Sequence, residues 1–332
     1  MLDQLQARLQ AYYASHGAGQ PGATVGPLSA LTGGWASRLY TFTLRPHGPA
    51  GAEAPTLVLK TYAPTARGRE HATREWRALR GLHAAGLAVP RASLCELDAG
   101  ALGAPFVVME HIAGQPLWEA LAQAEPAERD RLTRLFVGRL AELHRLAPQL
   151  LEPTFRMARP HAPLERELRQ LRRDARRSRH TTLAGVVDWL EQRQAAVPCA
   201  QPAILHRDYH PWNVLLDAAG RLWVIDWDWR IGDARFDLAW ALMLMRRSHF
   251  DAFSDAVLAE YARQSERAIE QLEYFEVLAT MRWLLNVAPA VEPWQLRRDP
   301  TREEFREFLR EPVRNAALFV QAQTGLAVSV NL

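Results

Sequence analysis

The first third of the chain consists mainly of short runs of strand-forming residues, with two predicted helices among them. Residues 2–15 predict a helix, with apolar side chains such as Leu5 and Leu9 on one face. Beyond it the pattern predicts two strands joined at a Gly-Gly turn, a third strand, a helix that ends at Gly86, and two more strands. The best-defined of these segments are 28–46, 56–62, 68–86 and 105–112. Residues 1–110 therefore predict a small antiparallel sheet that carries one key helix.

Helical patterns dominate the remainder of the chain. A long amphipathic helix is predicted over residues 129–146, and the segment 162–195 is charged and helical. A strand-rich section, residues 203–226, interrupts this pattern, and helices resume from Asp237 and continue nearly to the end. The change of pattern near residues 110–116 predicts two lobes, the second larger and mostly helical.

Composition and the cysteine pattern favour a soluble, cytoplasmic protein. Of the 332 residues 48% are hydrophobic, which is enough to form sizeable cores. Cys95 and Cys199 lie far apart without metal-type spacing, so we interpret them as buried thiols in a reducing compartment. The first residues lack the apolar run of a signal peptide, and the most apolar segment, residues 236–245, is too short to cross a bilayer. We therefore expect no membrane association.

Nearly all of the positive charge of the chain is carried by arginine. The net charge of +3 is only weak support for an anionic partner, but Lys60 is the single lysine among 40 basic residues. It lies inside an apolar strand, which favours a functional role for its compact ammonium group. The arginine-rich segment 165–180 is typical of a solvated helix face with interleaved acids; alternatively it borders an acceptor site. Nucleic-acid binding is the less favoured interpretation of this segment.

The stretch "HRDYHPWN", residues 206–213, precedes a predicted β-hairpin. Two apolar runs, "VLL" and "RLWVI", are separated by a turn segment that ends in Gly220. Asn213 lies at the start of this hairpin and Asp226 at its end. The hairpin therefore brings an amide and a carboxylate to the same open end.

The pairing register decides how close the two side chains come. If Leu216 pairs with Arg221, Asn213 faces Val224, and Asp226 lies two residues further along on the same face. A bulge at the turn glycine would bring the two groups closer to directly opposite positions.

The residue types at this end of the hairpin suit phosphoryl transfer. The amide oxygen of Asn213 and the carboxylate of Asp226 are hard oxygen donors of the kind that Mg²⁺ prefers. Asp208, five residues before Asn213, is then available to orient or deprotonate a hydroxyl group. This spacing is the arrangement used by kinases, in which charge neutralisation and alignment do most of the catalysis.

Two other interpretations compete with a kinase site. A metal-dependent hydrolase would use His206, Asp208 and His210 as direct metal ligands, but it leaves Asn213 without a role, and no later His or Cys cluster completes a zinc site. A surface turn would explain the polar residues, but the surrounding sequence "AILHRDYHPWNVLL" is apolar. The phosphoryl-transfer interpretation accounts for the most residues.

Elements for binding a nucleotide precede this stretch. Lys60 supplies a cation for the phosphates, and Glu75, fifteen residues later in the following helix, can reach back to orient it. The Gly-Gly turn within residues 32–40 is placed to cover phosphates. The segment "VVMEHI" connects the two predicted lobes, where its backbone groups can bind adenine.

Two motifs resemble those of the aminoglycoside phosphotransferase and choline kinase-like family of small-molecule kinases. "LHRDYHPWNVLL" resembles the catalytic loop of the family, usually H-G-D-x-H-P-x-N. "VIDWDWRIGDARFDLAW" resembles its metal-binding segment, commonly I-D-[WF]-[DE] followed by G-D and D-L-A. The resemblance implies a bilobal, protein-kinase-like α+β fold. Residues 1–110 would be the nucleotide-binding lobe, and residues 111–332 would carry the catalytic loop and the acceptor site.

The resemblance also implies a role for individual residues. Asp208 would be the catalytic base, and Asn213 and Asp226 would hold Mg²⁺, with Asp228 as a further metal contact. The nucleotide would be bound by the glycine turn, by the lysine–glutamate pair and by the connector, namely Gly33, Gly34, Ser37, Lys60, Glu75, Met109, Glu110 and Ile112.

Structural support for the site would come from three further residues. By the resemblance, His206 and His210 would brace the catalytic loop, and Asp237 would brace the same loop or cap its own helix.

Departures from the family pattern narrow the class of acceptor. Arg207 replaces the usual glycine, as in protein kinases, but His210 occupies the position of the protein-kinase lysine. Asp226 is not followed by Phe-Gly, and no A-P-E segment is present, so a small molecule is favoured over a protein. In the glycine turn, Arg38 stands where the family often has asparagine.

The sequence thus predicts a Mg²⁺-dependent kinase that moves the γ-phosphoryl group of ATP or GTP to a hydroxyl group of a small molecule. A nucleotide-binding pseudoenzyme or scaffold is the second interpretation, and the metal hydrolase is the third. The acceptor and the oligomeric state are not encoded in any motif that we recognise.

Overall fold

A computed structural model describes residues 2–16, 22–31, 37–45, 54–178, 180–267, 269–287 and 302–330. The chain divides into two compact units. The first unit combines Met1–Ala120 with Trp212–Trp229, and the second combines Leu121–Pro211 with Arg230–Leu332. The section 212–229 belongs to the first unit although residues 121–211 precede it in the chain.

The helices and strands follow in this order along the described residues. The helices are α1 Leu2–His16, α2 Ala66–Ala84, α3 Leu117–Gln123, α4 Pro126–Arg145, α5 Ala162–Arg177, α6 Thr182–Arg193, α7 Arg235–Arg247, α8 Asp251–Gln264, α9 Leu272–Val287 and α10 Arg302–Thr324. The strands are β1 Thr24–Val25, β2 Ser29–Leu31, β3 Ser37–Arg45, β4 Thr56–Tyr62, β5 Ala92–Glu96, β6 Phe106–Glu110, β7 Gly114–Pro116, β8 Pro202–Leu205, β9 Val214–Asp217, β10 Leu222–Val224 and β11 Arg230–Asp233.

An antiparallel sheet forms the main part of the first unit. Its strand order is β1-β3-β4-β6-β5, and β2 also pairs with β3, along the edge away from β4. Lys60 lies on the central strand β4, opposite Leu39 on one side and Val107 on the other. Pairing on both sides fixes the position of this lysine.

Helix α1 packs on this sheet as part of the same core. Leu9 is fully buried and Tyr13 nearly so, in a cluster that includes Phe42, Leu59 and Phe106. The ring of Tyr12 meets that of Phe106 edge to face, with centroids 5.3 Å apart. The apolar face predicted from the sequence is therefore the face that packs.

Helix α2 begins and ends on recognisable signals. The side chain of Thr65 caps its start by accepting the Gly68 N–H at 3.1 Å, and the chain leaves the helix at Gly86, whose φ is 88°. Ala72, Glu75 and Leu79 lie on its buried face. The helix predicted over residues 68–86 is present, and it carries Glu75 inward.

The predicted β-hairpin is formed by β9 and β10, but its register differs from the predicted one. Leu216 pairs with Leu222 and not with Arg221. The Asp217 N–H bonds to the Arg221 carbonyl, which leaves a three-residue loop containing Gly220 at φ 79°. Gly220 is the left-handed residue of this three-residue loop and forms its bulge, so the alternative of a bulge at the turn glycine is the one that the structure shows. Strand β7 extends this hairpin to a three-stranded sheet.

The second unit is mostly helical. Its two-stranded sheet pairs β8 with β11 in antiparallel register, from Leu205↔Arg230 to Pro202↔Asp233. Helix α7 is buried along most of its length, which explains the apolar run "FDLAWALMLM" without a membrane. Within the described residues, no helix is both long and apolar enough to cross a bilayer. Cys199 is buried and Cys95 half-buried, and both are free thiols, so the prediction of a buried thiol is correct for Cys199 alone.

We expect Leu9→Ala to lower the free energy of unfolding by about 2–5 kcal/mol, because the substitution leaves a cavity in the core of the first unit. Leu2→Ala in the same helix should change it by less than about 0.5 kcal/mol, since Leu2 is 39% exposed. Urea denaturation followed by circular dichroism measures both. Equal effects of the two substitutions would show that α1 does not contribute to the core.

Candidate active site

A buried ion-pair cluster in the first unit joins Lys60 to two carboxylates. The Lys60 Nζ lies 2.7 Å from Glu75 Oε2 and 2.7 Å from Asp226 Oδ1. The hydroxyl of Tyr62 donates a hydrogen bond to Glu75 Oε2 at 2.5 Å. The structure thus brings together the lysine and the glutamate that the sequence singled out, and it adds Asp226 and Tyr62 to them.

Electrostatics keep the lysine charged in this cluster. Burial alone would lower the pKa of Lys60, but the charges of Asp226 and Glu75 outweigh it and raise the pKa above its ordinary value. Burial raises the pKa of Glu75, and the nearby Lys60 offsets only part of that rise. Lys60 is therefore a fixed positive charge, 7% exposed, at the exit of the hairpin.

The hairpin places Asn213 and Asp226 one position apart. The Ile225 N–H bonds to the Asn213 carbonyl at 3.0 Å, so Asn213 lies opposite Ile225, and Asp226 is the next residue. Asp226 has a left-handed backbone, with φ 63°, which ends the strand and turns the chain. Its side chain contacts Lys60 but stays 58% exposed.

The donor chemistry at this end of the hairpin fits Mg²⁺. Asn213 can supply an amide oxygen and Asp226 a carboxylate, and Mg²⁺ takes few protein ligands while it keeps waters or phosphate oxygens. Asp228, the further predicted contact, lies 3.1 Å from Nη1 of Arg74. Arg74 also accepts the indole N–H of Trp229 on its carbonyl, at 2.8 Å, so α2 secures this whole segment.

The histidine-rich stretch, residues 206–213, is called the HRD loop below. Among the residues that the structure describes, no group of three or more His, Cys, Asp or Glu side chains is arranged to hold a metal ion. His206 is fully buried, and its Nδ1 accepts the Asp208 N–H at 3.2 Å. This geometry disfavours a zinc site built from His206, Asp208 and His210.

Asp208 is held by two side chains of the second unit. The indole N–H of Trp240 donates to its Oδ1 at 2.8 Å, and Nε2 of His210 lies 3.4 Å from the same oxygen. Burial alone would raise the pKa of Asp208, but His210, His206 and Trp240 outweigh it and hold the pKa well below its ordinary range. Asp208 is therefore ionised at neutral pH and fixed in orientation.

The backbone of the HRD loop is bound by the carboxylate of Asp237. Its Oδ2 accepts the His206 N–H at 2.6 Å, and its Oδ1 accepts the Arg207 N–H at 2.8 Å. The Nε2 of His144 lies 3.3 Å from Oδ2, and its Nδ1 lies 2.7 Å from the hydroxyl of Tyr261. The position of Asp237 fits the bracing role that the resemblance implied, and His144 links Asp237 to Tyr261 of α8.

Arg207 adopts a backbone conformation that favours glycine. Its φ is 75°, and glycine is the residue usual at this position in the resembling family. The Arg207 guanidinium forms a two-point ion pair with Glu167, at 2.6 and 3.1 Å, and Arg282 donates to the Arg207 carbonyl at 3.0 Å. Glu167 belongs to the arginine-rich segment, so one face of that segment supports the HRD loop.

The residues predicted to bind the nucleotide lie in different surroundings. Gly33 and Gly34 lie outside the described residues. Ser37 begins β3 opposite Tyr62, next to the lysine strand. Met109 is buried at the end of β6, and the Glu110 N–H is already bonded to the Arg91 carbonyl at 2.9 Å. Ile112, in the connector that follows β6, is buried as well.

A comparison with protein families decides the identity. A model of the phosphotransferase enzyme family matches residues 27–275, which is most of the chain. The chain belongs to this family. The match confirms the predicted enzyme class, a small-molecule phosphotransferase.

Solved structures similar to this phosphotransferase cover nearly its full length. A candidate aminoglycoside phosphotransferase from Ralstonia eutropha JMP134 is 18% identical, with a TM-score of 0.67 and 97% of each chain covered. The GDP and kanamycin complex of APH(2″)-IIIa is 16% identical, with a TM-score of 0.60, and the match covers 97% of this chain and 99% of the other.

The choline kinase LicA from Streptococcus pneumoniae, in its AMP complex, is 18% identical, with a TM-score of 0.60, over 96% of this chain and 99% of the other. These likenesses confirm the predicted kinase-like α+β fold. No curated protein sequence matches the phosphotransferase.

We expect Asp237→Asn to lower the free energy of unfolding by about 2–4 kcal/mol, because an amide offers one oxygen where two buried backbone N–H groups need acceptors. Asp130→Asn, at an exposed position of α4, should leave stability unchanged. Chemical denaturation measures both variants. If they are equally stable, the contacts of Asp237 do not hold the HRD loop.

Proposed function

We propose that this phosphotransferase moves the γ-phosphoryl group of ATP or GTP, with Mg²⁺, to a hydroxyl group of a small molecule. The observation that carries the proposal is the state of Asp208, an ionised carboxylate held by Trp240 and His210 at one oxygen. A carboxylate in this state can accept the hydroxyl hydrogen bond of an acceptor and orient its oxygen.

The remaining polar residues supply the other requirements of phosphoryl transfer. Lys60, kept protonated by Glu75 and Asp226, offers a positive charge for the nucleotide phosphates. Asn213 and Asp226 would hold Mg²⁺, which supplies charge neutralisation for the phosphoryl oxygens. Asp208 and Asn213 are five residues apart in the chain, the spacing of kinase catalytic loops.

The proposed reaction breaks one P–O bond and forms another. The acceptor oxygen bonds to the γ-phosphorus while the bond to the β-phosphate oxygen breaks, and the nucleoside diphosphate leaves. Asp208 receives the hydroxyl proton. Because its pKa is low, Asp208 is a weak base, so orienting the hydroxyl is its larger contribution and the proton moves as the P–O bond forms.

The relatives support a nucleotide and a small acceptor without naming the acceptor. GDP and kanamycin are bound in one similar structure and AMP in another, and the latter protein is a choline kinase. Amino sugars and choline differ strongly in shape, so we propose a small hydroxyl compound as the acceptor and no particular antibiotic. The cytoplasmic location stays a prediction.

Asp208→Asn should lower the rate of transfer by about 10²–10⁴-fold and leave nucleotide affinity unchanged, because the neutral amide holds the acceptor hydroxyl more weakly than a carboxylate does and cannot take its proton. The measurement is ADP or GDP release with a panel of hydroxyl-bearing metabolites and antibiotics, with Asp130→Asn as the control. Full activity of Asp208→Asn contradicts the assigned role. Nucleotide binding by the wild type without transfer to any acceptor would favour the scaffold interpretation.

Trp240→Phe should move the acidic limb of the kcat/KM profile to higher pH. Trp240 donates to the ionised form of Asp208, so its removal raises the pKa of Asp208, and the base form is then lost at a higher pH as the solution is acidified. Trp189→Phe, in α6, is the matched control. Coincident acidic limbs in the wild type and Trp240→Phe would show that the indole does not tune Asp208.

A further inference from the structure

Helices α7, α9 and α10 of the second unit line a cavity of about 120 Å³ that is partly open to solvent. One part of its lining is apolar, with Met243, Ala316 and Phe319. The polar part of the lining consists of Arg246, Arg247, Glu276, Thr280 and Asn315. None of these residues belongs to the HRD loop or to the lysine cluster.

Arg247 brings an unsatisfied guanidinium to this cavity. Its Nε and Nη1 atoms are buried and have no hydrogen-bond partner in the part of the chain that the structure describes. The guanidinium carbon lies 3.3 Å from the centroid of the Trp283 ring, which supports one face of the group but accepts no N–H. Burial lowers the pKa of Arg247 to about 9, so the group stays protonated at neutral pH.

The other charges of the cavity are balanced. Arg246 forms an ion pair with Glu276, and its Nη2 also lies 3.6 Å from Asp255. The hydroxyl of Thr280 donates to the Glu276 carbonyl at 2.7 Å. Within the described residues that line the cavity, the uncompensated charge is therefore the positive charge of Arg247.

Two buried guanidinium N–H groups without acceptors are destabilising, and an oxyanion would remove that penalty. Burying an unsatisfied polar group costs about 1–3 kcal/mol, and more for a charged one. Arginine matches a carboxylate through two parallel N–H···O bonds. The cavity volume of about 120 Å³ is below the roughly 150 Å³ of a closed cavity that holds benzene. Because this cavity is partly open to solvent, a small aromatic ring can extend from its mouth while the anion reaches Arg247.

We propose that this cavity binds a carboxylate or a similarly compact oxyanion carried by a small, mostly apolar molecule. Arg247 would bind the anion, Asn315 would donate to it, and Met243, Ala316 and Phe319 would contact the apolar part.

The anion has two possible sources, which share this chemistry. Trp240, Met243 and Arg247 are spaced i, i+3, i+7 on one face of α7, so the cavity lies about 10 Å along the helix from the indole that bonds Asp208. The anion can therefore be part of the phosphoryl acceptor. This version of the proposal rests on the proposed function. Otherwise it belongs to a separate effector molecule.

Benzoate binding to the full-length protein, measured by isothermal titration calorimetry, tests the site itself. We expect Arg247→Gln to weaken benzoate binding by about tenfold or more, and Arg310→Gln, at an exposed ion pair of α10, to leave it unchanged. Neutral benzamide should bind the wild type more weakly than benzoate. Equal benzoate affinity in the wild type and Arg247→Gln, or no binding of benzoate, phosphate or sulfate to the wild type in the millimolar range, overturns the proposal.

Thermal unfolding separates a binding role of Arg247 from a structural one. Without ligand, Arg247→Met should unfold at the same or a higher temperature, since it removes buried donors that lack acceptors and keeps an apolar side chain against Trp283. A lower unfolding temperature together with unchanged benzoate binding would assign Arg247 to structure and contradict the proposal.

Kinetics with charged and neutral acceptors distinguish the two sources of the anion. If the anion is part of the acceptor, Arg247→Gln raises KM for carboxylate-bearing alcohols and leaves neutral alcohols unaffected. If the anion belongs to a separate molecule, Arg247→Gln loses benzoate binding while its KM is unchanged for every acceptor. Both results support the site. Absence of transfer by the wild type would contradict the proposed function and leave the benzoate measurement valid.

Discussion

The HRD loop depends on the buried carboxylate of Asp237. Two consecutive N–H groups, of His206 and Arg207, point to its two oxygens, and this is achieved with Arg207 in a left-handed conformation. Without that carboxylate both donors would be buried without acceptors. Three residues further along α7, on the same face, Trp240 holds the side chain of Asp208. Helix α7 thus fixes both the backbone of the HRD loop, through Asp237, and the side chain of Asp208, through Trp240.

Helix α2 has the corresponding role in the first unit. Glu75 contacts Lys60, and the neighbouring Arg74 holds Asp228 through an ion pair and Trp229 through its carbonyl. The segment 226–229 is therefore held at two places, by Lys60 at Asp226 and by Arg74 at Asp228 and Trp229. In each unit an irregular segment carries a residue of the proposed site, and a helix supplies the partners that keep that residue in place.

Local signals made much of this architecture predictable. The lysine strand, the helix with Glu75 and the β-hairpin follow from periodicity and from turn residues within short windows. Of the two hairpin registers considered, the one with Leu216 opposite Arg221 is wrong by one residue, because Asp217 still pairs with Arg221 and Gly220 forms a bulge. The Asp217 carboxylate accepts two N–H groups of this turn, and the sequence alone did not decide between the two loop lengths.

The partners of the HRD loop could not be predicted in the same way. Trp240 lies 32 residues from Asp208, while Glu167 and Arg282 lie 40 and 75 residues from Arg207. No local period encodes contacts across such separations. The substitution of arginine for the usual glycine was the one available signal, because a side chain in a left-handed backbone conformation needs compensation from elsewhere.

The shape of the cationic groups explains why a chain so rich in arginine uses lysine at residue 60. Arginine serves here where two parallel N–H groups meet one carboxylate, as in the pairs Arg207–Glu167 and Arg235–Asp233. Lys60 instead meets carboxylates from two different elements at 2.7 Å each, in a site that is 7% exposed. A compact ammonium can be shared between two acceptors in different directions, whereas a planar fork would need more room and a common plane. The lone lysine is thus explained by the geometry of its two partners, and arginine at this position would keep the charge but lose one of them.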